Sequence, residues 1–440
     1  MDRRQFVMGG VSISAVAFMA AHASGQDKKP VVWWTGFADP EQKAIFENDI
    51  INPFDAANPG HALSIDYRGS ELDTQTRAAL LSGSGPDIVE TSAPAAVTPL
   101  VGAERLLDLS PYAEKLSWNS RIIPLFLDMG RYNGGLYALP RTYETTGLFY
   151  NATLLAKNGW AIPTNIAELE SVSDAMVAAG IIPLIAGNAN VRGISGHYPT
   201  IALNAIAGPA NIYKALSGDI PWTAQPFLDS IEALKRWWDK GYFGKDYFSI
   251  TDEQAVAAMS QGKAAMMPTG TWHFQNVANY FGENKQEPGF VGFPSAPEVG
   301  APVFPLGVGS TLSISQSSTN PDGAAAVLDY IFTPEAYGNL NSDWQGEWNI
   351  PIVDLSAVKM KPGVLPLYTQ SMGNLATAVA KGEYGYTGWS FFPPETGDFT
   401  IEIEEVWLGR QTPAQYLEQM QSIFEREKAD GLVPALPART

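Results

Sequence analysis

The sequence predicts an α/β protein with two domains. Short apolar runs typical of buried strands alternate with longer segments of helical periodicity, which is the pattern of a layered α/β architecture. The chain has 440 residues, more than a single hydrophobic core usually organises, and hydrophobic residues make up 45% of it. We therefore expect two packed cores, with loops at the carboxyl ends of strands available for function.

The first residues are typical of an export signal. Arg3 and Arg4 precede a short hydrophobic run, Val11 to Ala20, and the small residues of Ala21 to Ala23 offer a cleavage site. A run of about ten apolar residues is too short to span a membrane. We expect residues 1–23 to be a twin-arginine signal, with the general secretory route as the alternative. The mature protein would then be periplasmic.

The mature chain begins with a strand and a helix. Val31 to Trp34 is a buried apolar run. Asp39 followed by Pro40 predicts the start of a helix, because aspartate caps helices and proline fits their first turn. The next predicted elements are a strand over 63–67, a helix over 71–81, a strand at 88–89 and a helix over 95–103.

The stretch from Tyr137 to Asn151 is unusual for a strand that only fills a core. It combines a proline, an arginine, three tyrosines and one glutamate with apolar residues. Gly147 lets the backbone bend or approach a bound molecule closely. We interpret the stretch as a crossing between two lobes that presents Tyr143 and Glu144 to a ligand. A β-hairpin with one polar face is the alternative.

The second half continues the alternation. Phe227 to Trp238 carries apolar residues at helical spacing, so its tryptophans are expected in the core. Phe304 to Thr311 contains Gly307 and Gly309 but lacks the third glycine of a dinucleotide-binding loop. We interpret it as a loop before a strand, Leu312 to Ile314. The further predicted helices are 165–179, 253–261, 321–332, 334–340 and 412–428, and the further strands are 181–185, 263–267 and 290–293.

Composition excludes several functions. Lys and Arg number 28 against 46 Asp and Glu, a net charge of −18, so nucleic acid is not an expected partner. The chain has no cysteine, which excludes disulfides and thiolate nucleophiles. With only four histidines, a polyhistidine metal centre is not expected, although an all-oxygen Ca²⁺ or Mg²⁺ site stays open. We expect no cofactor.

The sequence contains no complete catalytic motif. Gly193 to His197 is the nearest to a nucleophile elbow, but a histidine replaces its final glycine. Walker, EF-hand and zinc-protease patterns are absent from the sequence. The carboxylates of Glu144, Glu395 and Asp398 could in principle form a glycosidase pair. A secreted glycoside-acting enzyme is therefore the alternative function from another class.

Loops at predicted strand ends combine aromatic rings with hydrogen-bonding groups. Sugars present hydroxyls that need donors and acceptors, and C–H faces that lie well on aromatic rings. Glu144 could accept two hydroxyls while a ring such as Trp272 supplies a platform. For Phe37, His197 and Asn188, an ordinary loop or core role is favoured. The candidate groups are Thr35, Phe37, Thr91, Ser92, Tyr143, Glu144, Asn188, His197, Trp272, Ser310 and Trp389.

Four segments stand out by their order and spacing: Ser82 to Val89, Tyr137 to Asn151, Gly262 to Trp272 and Gly409 to Pro413. Together they resemble the family-1 extracellular solute-binding proteins of ABC transporters, the group that includes the maltose-binding protein. The resemblance implies a two-lobe periplasmic-binding-protein fold with the ligand cleft between the lobes. The implied crossings are 140–146, 290–294 and 341–351. The implied lobes are 24–140 plus 295–342 and 141–294 plus 343–440.

The resemblance also implies a function. Such proteins capture a carbohydrate by hinge closure of the lobes and present it to the membrane permease of an ABC transporter, without catalysis. The protein is expected to act as a monomer. Thr91 and Ser92 stand where maltose-type members carry an aromatic and an acidic residue, which implies a different or smaller ligand. A polyol or another non-sugar solute stays open.

The resemblance carries over to single positions in the chain. Glu144 falls where members often have a sugar-binding acid, and Tyr143 where some place an aromatic ligand-binding residue. Trp272 and Trp389 match stacking aromatics. Gly309, together with the next residue, Ser310, matches a backbone-lined wall of the cleft.

Overall fold

The computed structural model describes residues 28–434 and 436, except Asn190. The predicted export signal, residues 1–23, lies outside these residues. The strands are β1 Lys29–Thr35, β2 His61–Tyr67, β3 Ile88–Thr91, β4 Arg131–Tyr132, β5 Gly135–Leu136, β6 Leu139–Asn151, β7 Ile182–Leu184, β8 Ala264–Gly270, β9 Pro288–Val291, β10 Pro305–Ile314 and β11 Gly385–Tyr386.

The α-helices are α1 Pro40–Ile45, α2 Asn52–Ala57, α3 Leu72–Leu81, α4 Thr98–Gly102, α5 Ser110–Lys115, α6 Trp118–Arg121, α7 Pro124–Asp128, α8 Ala152–Asn158, α9 Ile166–Ala178, α10 His197–Ala202, α11 Pro209–Ser217, α12 Gln225–Asp239, α13 Asp252–Ser260, α14 Phe274–Asn284, α15 Pro321–Ile331, α16 Pro334–Asp343, α17 Pro366–Ala380, α18 Gly388–Phe391, α19 Pro394–Phe399, α20 Ile403–Trp407 and α21 Pro413–Ala429. Within the part of the chain that is described, no helix has both the length and the apolarity needed to cross a membrane.

A mixed sheet connects the two halves of the molecule, in the strand order β2-β1-β3-β10-β6-β8-β7. The strand β1 pairs in parallel with β2 and β3, and β7 pairs in parallel with β8. The strands β6 and β10 run antiparallel to each other, and they run antiparallel to β8 and β3, respectively. In addition, β9 pairs with β6 and β11 with β10. The α/β class predicted from the sequence is confirmed.

The long strands β6 and β10 carry the sheet from one half to the other. Residues 139–145 of β6 pair with β10, and residues 146–151 pair with β8 and β9. Tyr137 to Asn151 is therefore not a hairpin, because its ordered pairing belongs to one continuous strand. β10 already begins at Pro305, so the glycine-containing segment predicted as a loop is part of the strand. A bulge at Gly309 shifts its pairing with β6.

Two large hydrophobic cores lie on either side of this crossing. The first contains Trp33 and Trp348, whose ring centroids are 6.5 Å apart, and draws its residues from 31–139 and 312–352. The second contains Trp222 and Trp237, both almost fully buried, and draws its residues from α7 to α21. Each core packs helices against its own part of the sheet, which is how an α/β domain buries its apolar faces.

The chain passes between the cores at places that differ in part from those predicted. It passes along β10, where Val308 belongs to the second core and Leu312 to the first. Residues 290–294 were predicted as a crossing, but their phenylalanines lie in the second core. Apolar residues between 344 and 352 pack with the first core, and by Tyr368 the chain is in the second. The lobe boundaries themselves remain a prediction.

Predicted elements with local sequence signals are present. Asp39 and Thr412 each form a capping box at a helix start, at α1 and α21. Trp237, predicted for the core, is 1% exposed. The helix α17 was not predicted, because glycine, serine and threonine lower the helix propensity of its sequence. The helix is instead stabilised by its packing against β9 and, through Tyr368, against Phe274 of α14.

Candidate functional site

A cavity of about 740 Å³ opens between the two cores, above the crossing strands. This volume is typical of small-molecule sites. One wall comes from loops at the carboxyl ends of β1 and β3, the edge at which open α/β sheets bind ligands. The other wall comes from the start of α10, the turn after β8 and the helices α18 and α19. The predicted candidates that line it are Phe37, Thr91, Ser92, Glu144, His197, Trp272, Gly309, Ser310 and Trp389.

Glu144 lies on the floor of the cavity. Only 7% of the residue is exposed, and its Oε1 accepts a hydrogen bond of 3.0 Å from Nε1 of Trp389. Its Oε2 lies against Gly309, at the bulge of β10, where a Cβ atom would overlap the carboxylate. Burial and the nearby Glu347 raise the pKa of Glu144 to about 8. The position of the carboxylate therefore requires a glycine at 309.

Arg141 organises the polar groups below this floor. Its buried guanidinium donates hydrogen bonds of 2.7 Å to Oε1 of Glu347 and 2.9 Å to Oγ of Ser310. Its central carbon lies 4.3 Å from the centre of the Trp348 ring, and its Nε lies 3.9 Å from Oε1 of Glu90. Burial raises the pKa of Glu90. One cation thus fixes the positions of several polar side chains around the floor.

Three rings form the wall on the side of the second core. The His197 ring lies 5.2 Å from Trp272 and 4.7 Å from Trp389, and the two indoles are 6.1 Å apart at 75°. The Trp272 ring folds back over Gly270, where a Cβ atom would overlap it. Burial lowers the pKa of His197 to about 4, so its imidazole is neutral near pH 7. A neutral imidazole offers one donor and one acceptor beside two apolar faces.

The opposite wall is smaller and more polar. Thr91 shares a hydrogen bond of 2.6 Å with the hydroxyl of Thr311, so its side chain is already engaged within the protein. Ser92, the next residue, is exposed to the cavity. Phe37 contributes one ring, which packs edge-on against Trp344 at 4.7 Å. This wall therefore offers little aromatic surface to a bound molecule.

Tyr143 does not line the cavity, although the sequence predicted it as a ligand contact together with Glu144. Successive side chains of a strand point to opposite faces of the sheet, so only one of these two neighbours can face the cleft. The Tyr143 ring stacks on Phe126 at 4.8 Å inside the second core. It is 6% exposed.

Thr35 and Asn188 also lie outside the cavity lining. Thr35 ends β1 and is fully buried, and its hydroxyl accepts a 3.4 Å hydrogen bond from the backbone N–H of Phe37. Asn188 donates hydrogen bonds of 2.9 Å to Oε1 of Glu404 and 3.2 Å to Oγ of Ser195. Both side chains form their hydrogen bonds within the protein. For Asn188 this agrees with the ordinary loop or core role that the sequence favoured.

Several charged lining residues were not selected from the sequence. Glu90 and Glu347 lie at the floor, and the exposed residues Asp73 and Arg77 of α3 lie at the rim. Glu90 directly precedes a predicted candidate at the end of β3, and Glu347 lies in a segment rich in tryptophan. Both could have been selected as charged residues within otherwise apolar segments, since a buried charge requires a partner or a ligand.

Two of the three carboxylates considered for catalysis, Glu144 and Asp398, line the cavity. Glu395 forms an exposed ion pair with Arg426 and does not line the cavity, whereas Asp398 lies at its rim. Among residues 28–434 and 436, Asn190 aside, no group of three or more His, Cys, Asp or Glu side chains is placed to hold a metal ion. The cavity is built to contact rings, C–H surfaces and hydrogen-bonding groups.

The model of a protein family described as bacterial extracellular solute-binding protein matches residues 37–338, which is more than half of the chain. The chain belongs to this family. The periplasmic-binding-protein fold inferred from the resemblance is confirmed, because solved structures of solute-binding proteins match almost the whole chain.

Three relatives of this solute-binding protein illustrate the likeness. A probable sugar-binding periplasmic protein of Brucella suis is 25% identical over 60% of this chain and 62% of its own length. A solved chitin oligosaccharide binding protein has a TM-score of 0.78 at 21% identity, over 92% of this chain and all of its own. The solute-binding protein RafE in complex with raffinose has a TM-score of 0.71 at 18% identity, over 91% of this chain and 99% of its own.

Proposed function

We propose that this protein is the substrate-binding component of an ABC importer and that it captures a carbohydrate in the cavity between the two cores. One observation carries the proposal: two indole rings, Trp272 and Trp389, face the same cavity as the buried carboxylate of Glu144. Stacking rings and a hydrogen-bond acceptor are the two requirements of sugar recognition. The names of the relatives support the same class of ligand.

The arrangement of these groups suits a sugar better than a wholly apolar molecule. The aromatic wall can cover a C–H face of a pyranose ring, while His197, Ser92 and Ser310 supply donors and acceptors at its edges. The cavity is enclosed by two cores, so hydrogen bonds made there are partly shielded from water and gain strength. The small polar wall at Thr91 and Ser92 leaves room that an aromatic residue would fill, which favours a ligand different from a maltodextrin.

The proposed mechanism is closure of two lobes, one built around each core. The crossing strands β6 and β10 would serve as part of the hinge, with Glu144 mounted on the first and Gly309 on the second. Ligand contacts on the hinge couple binding directly to closure. The closed monomer would then be recognised by permease subunits in the membrane. We propose a periplasmic location, with residues 1–23 as a twin-arginine export signal.

Isothermal titration calorimetry against an oligosaccharide panel tests this function. We expect one sugar to bind at one site per chain and to remain chemically unchanged. A ligand at 100 times its dissociation constant would also stabilise the protein by about 2.7 kcal/mol. Turnover of a glycoside without a stoichiometric complex would instead favour the secreted enzyme. Binding of polyols with no binding of sugars would favour a non-sugar solute.

A further inference from the structure

The crossing strand β10 has an unpaired stretch along the edge that faces away from β6. On this edge β11 pairs with Pro305 and Leu306, and β3 pairs with residues 311–314. Among the described strands, none pairs with the same edge at residues 307–310. Val308 lies within this stretch and is fully buried, so its backbone N–H and carbonyl need other hydrogen-bond partners.

Ser390 of α18 supplies these partners. Its Oγ accepts a hydrogen bond of 2.9 Å from the N–H of Val308 and donates one of 3.3 Å to the carbonyl of the same residue. Thr387, just before the helix, donates a hydrogen bond of 2.9 Å to the carbonyl of Leu306. Ser390 is buried, so water does not compete for its bonds. Its hydroxyl therefore takes the place of a neighbouring strand at this point of β10.

The helix α18 carries Trp389 directly beside Ser390. Its four residues, Gly388–Phe391, form too few internal hydrogen bonds to fix a helix in place by themselves. The position of α18 therefore depends on bonds to other elements, and Ser390 makes two of them. The Trp389 ring lies 4.7 Å from the His197 ring in the aromatic wall. A shift of α18 would move the indole within this wall.

The Trp389 ring lies against β10 beside Glu144. Gly307 pairs with Glu144 in the sheet, and a Cβ atom at Gly307 would lie 2.9 Å from Nε1 of Trp389. The same Nε1 donates its hydrogen bond of 3.0 Å to Oε1 of Glu144. The strand has room for the ring in this position because residue 307 is a glycine. The spacing of the ring and the carboxylate thus depends on how α18 is attached to β10.

We propose that Ser390 is a positioning residue for sugar binding: its hydroxyl fastens α18 to the unpaired edge of β10 and thereby holds the Trp389 ring beside Glu144. Ser390 does not line the cavity, so it acts through Trp389. The inference rests on the proposed sugar-binding function and adds a residue to it. Because β10 is a crossing strand, the ring moves with the hinge and keeps its place beside Glu144 during closure.

Calorimetry with a defined sugar tests the inference. The wild type is first titrated with glucose, galactose, xylobiose, N,N′-diacetylchitobiose, raffinose and stachyose, and the sugar that binds most tightly becomes the probe for the variants. Ser390→Ala should bind this probe about 10-fold more weakly, the effect of losing a buried hydrogen-bonding group.

Ser260→Ala is the matched control. Ser260 is also buried, lies at the end of α13 outside the cavity, and accepts one hydrogen bond, of 3.0 Å from Asn284, while donating another, of 2.8 Å to Ala257. This variant loses a comparable hydroxyl far from the Trp389 ring, so its sugar affinity should change by less than about 2-fold.

A double-mutant cycle distinguishes positioning from a general effect on stability. In the Trp389→Ala background, Ser390→Ala has no ring to hold and should lower the affinity by less than about 2-fold. Gly307→Ala displaces the ring from the side of the strand and should give the same pattern, a loss of about 10-fold alone and less than about 2-fold in that background. If Ser390→Ala does not fold, the Gly307→Ala cycle decides, and wild-type affinity in Gly307→Ala then overturns the inference.

Three results with a folded Ser390→Ala variant would overturn the inference and leave the proposed function intact. They are wild-type sugar affinity in Ser390→Ala, an equal loss in Ser260→Ala, and a loss of the same size when Trp389 has already been replaced by alanine. If the wild type binds none of the sugars, the proposed function fails and the inference fails with it.

Discussion

The two walls of the cavity differ in chemistry although both are built from loops of α/β cores. The wall of the second core presents Trp272, Trp389 and the neutral ring of His197. The wall of the first core presents small polar groups, Thr91 and Ser92, one of them already bonded within the protein. We propose a division of roles from this difference: the aromatic wall would provide most of the binding energy, and the polar wall would mainly limit which ligands fit.

The aromatic wall should be the most sensitive to substitution. Trp389→Ala removes a stacking surface and also releases Oε1 of Glu144 from its 3.0 Å hydrogen bond. We expect about a 100-fold loss of sugar affinity, since buried aromatic anchors commonly contribute about 2 kcal/mol or more. Calorimetry measures the loss. Trp160→Ala is the matched control, because Trp160 is half-buried and does not line the cavity. An equal loss of sugar affinity in this control would show that the aromatic wall has no particular role in binding.

The floor should rank next. Glu144→Ala removes the buried acceptor, and we expect a loss of about 10-fold to 100-fold in affinity, the range for hydrogen bonds to charged groups. The thermal unfolding of the ligand-free variant should remain cooperative. Full affinity of this variant in calorimetry would exclude Glu144 from the binding site.

The bulge of β10 should affect binding through Glu144. Gly309→Ala places a Cβ atom onto its carboxylate, which must then turn away from Trp389. We expect an affinity loss of about 10-fold, the effect of one displaced charged hydrogen bond. Gly373→Ala, in α17, meets no atom within 4 Å and serves as the control. If both variants bind sugar like the wild type, the packing of Gly309 against the carboxylate has no role in binding.

The raised pKa of Glu144 should be visible in the stability of the ligand-free protein. Burial raises this pKa from 4.5 to about 8, so between these values the folded protein binds more protons than the unfolded chain. Its contribution to stability is therefore lost as pH rises through this window. Between about pH 5 and pH 8, the wild type should lose ~1 kcal/mol or more relative to Glu144→Gln in urea unfolding. If the stability of the two proteins changed with pH in the same way, the raised pKa of Glu144 would be contradicted. His197, whose pKa is lowered, is present in both proteins, so its contribution cancels in the comparison.

The polar wall should show the smallest effect. Ser92→Ala removes an exposed hydroxyl that competes with water, so we expect at most about a 3-fold change in affinity. Ser92→Trp would instead fill the space beside Thr91, and should exclude larger oligosaccharides while sparing a monosaccharide. Binding of a trisaccharide to both variants with wild-type affinity would show that this wall does not limit the ligand.

The sequence predicted features that depend on local signals. The strand at Val31, the helix start at Asp39 and the apolar face of α12 are each set by neighbouring residues, and all are present. The misplaced features depend on pairing between distant segments. Tyr143 was assigned to the cavity together with Glu144, yet strand alternation sends these two neighbouring side chains to opposite faces of the sheet. Which of the two side chains faces the cavity depends on how β6 pairs with its neighbouring strands, and the sequence does not show that pairing.

The charged floor could not be assembled from the sequence for a similar reason. Arg141 and Glu347 are 206 residues apart and meet only after β6 and the turn following α16 are placed side by side. A fully buried arginine indicates that acidic partners exist, but it does not identify them. Glu90 was not predicted as a cavity residue either. It lies within the strand β3, and the sequence does not show that this strand borders the cavity.

The central claim is that a sugar binds on the aromatic wall between the two cores. Calorimetry of the wild type and of Trp272→Ala with the same sugar tests it most directly. The account predicts one binding site per chain in the wild type and a loss of about 100-fold in the variant, with its fold retained. Unchanged affinity in Trp272→Ala, or conversion of the sugar by the wild type, would contradict it.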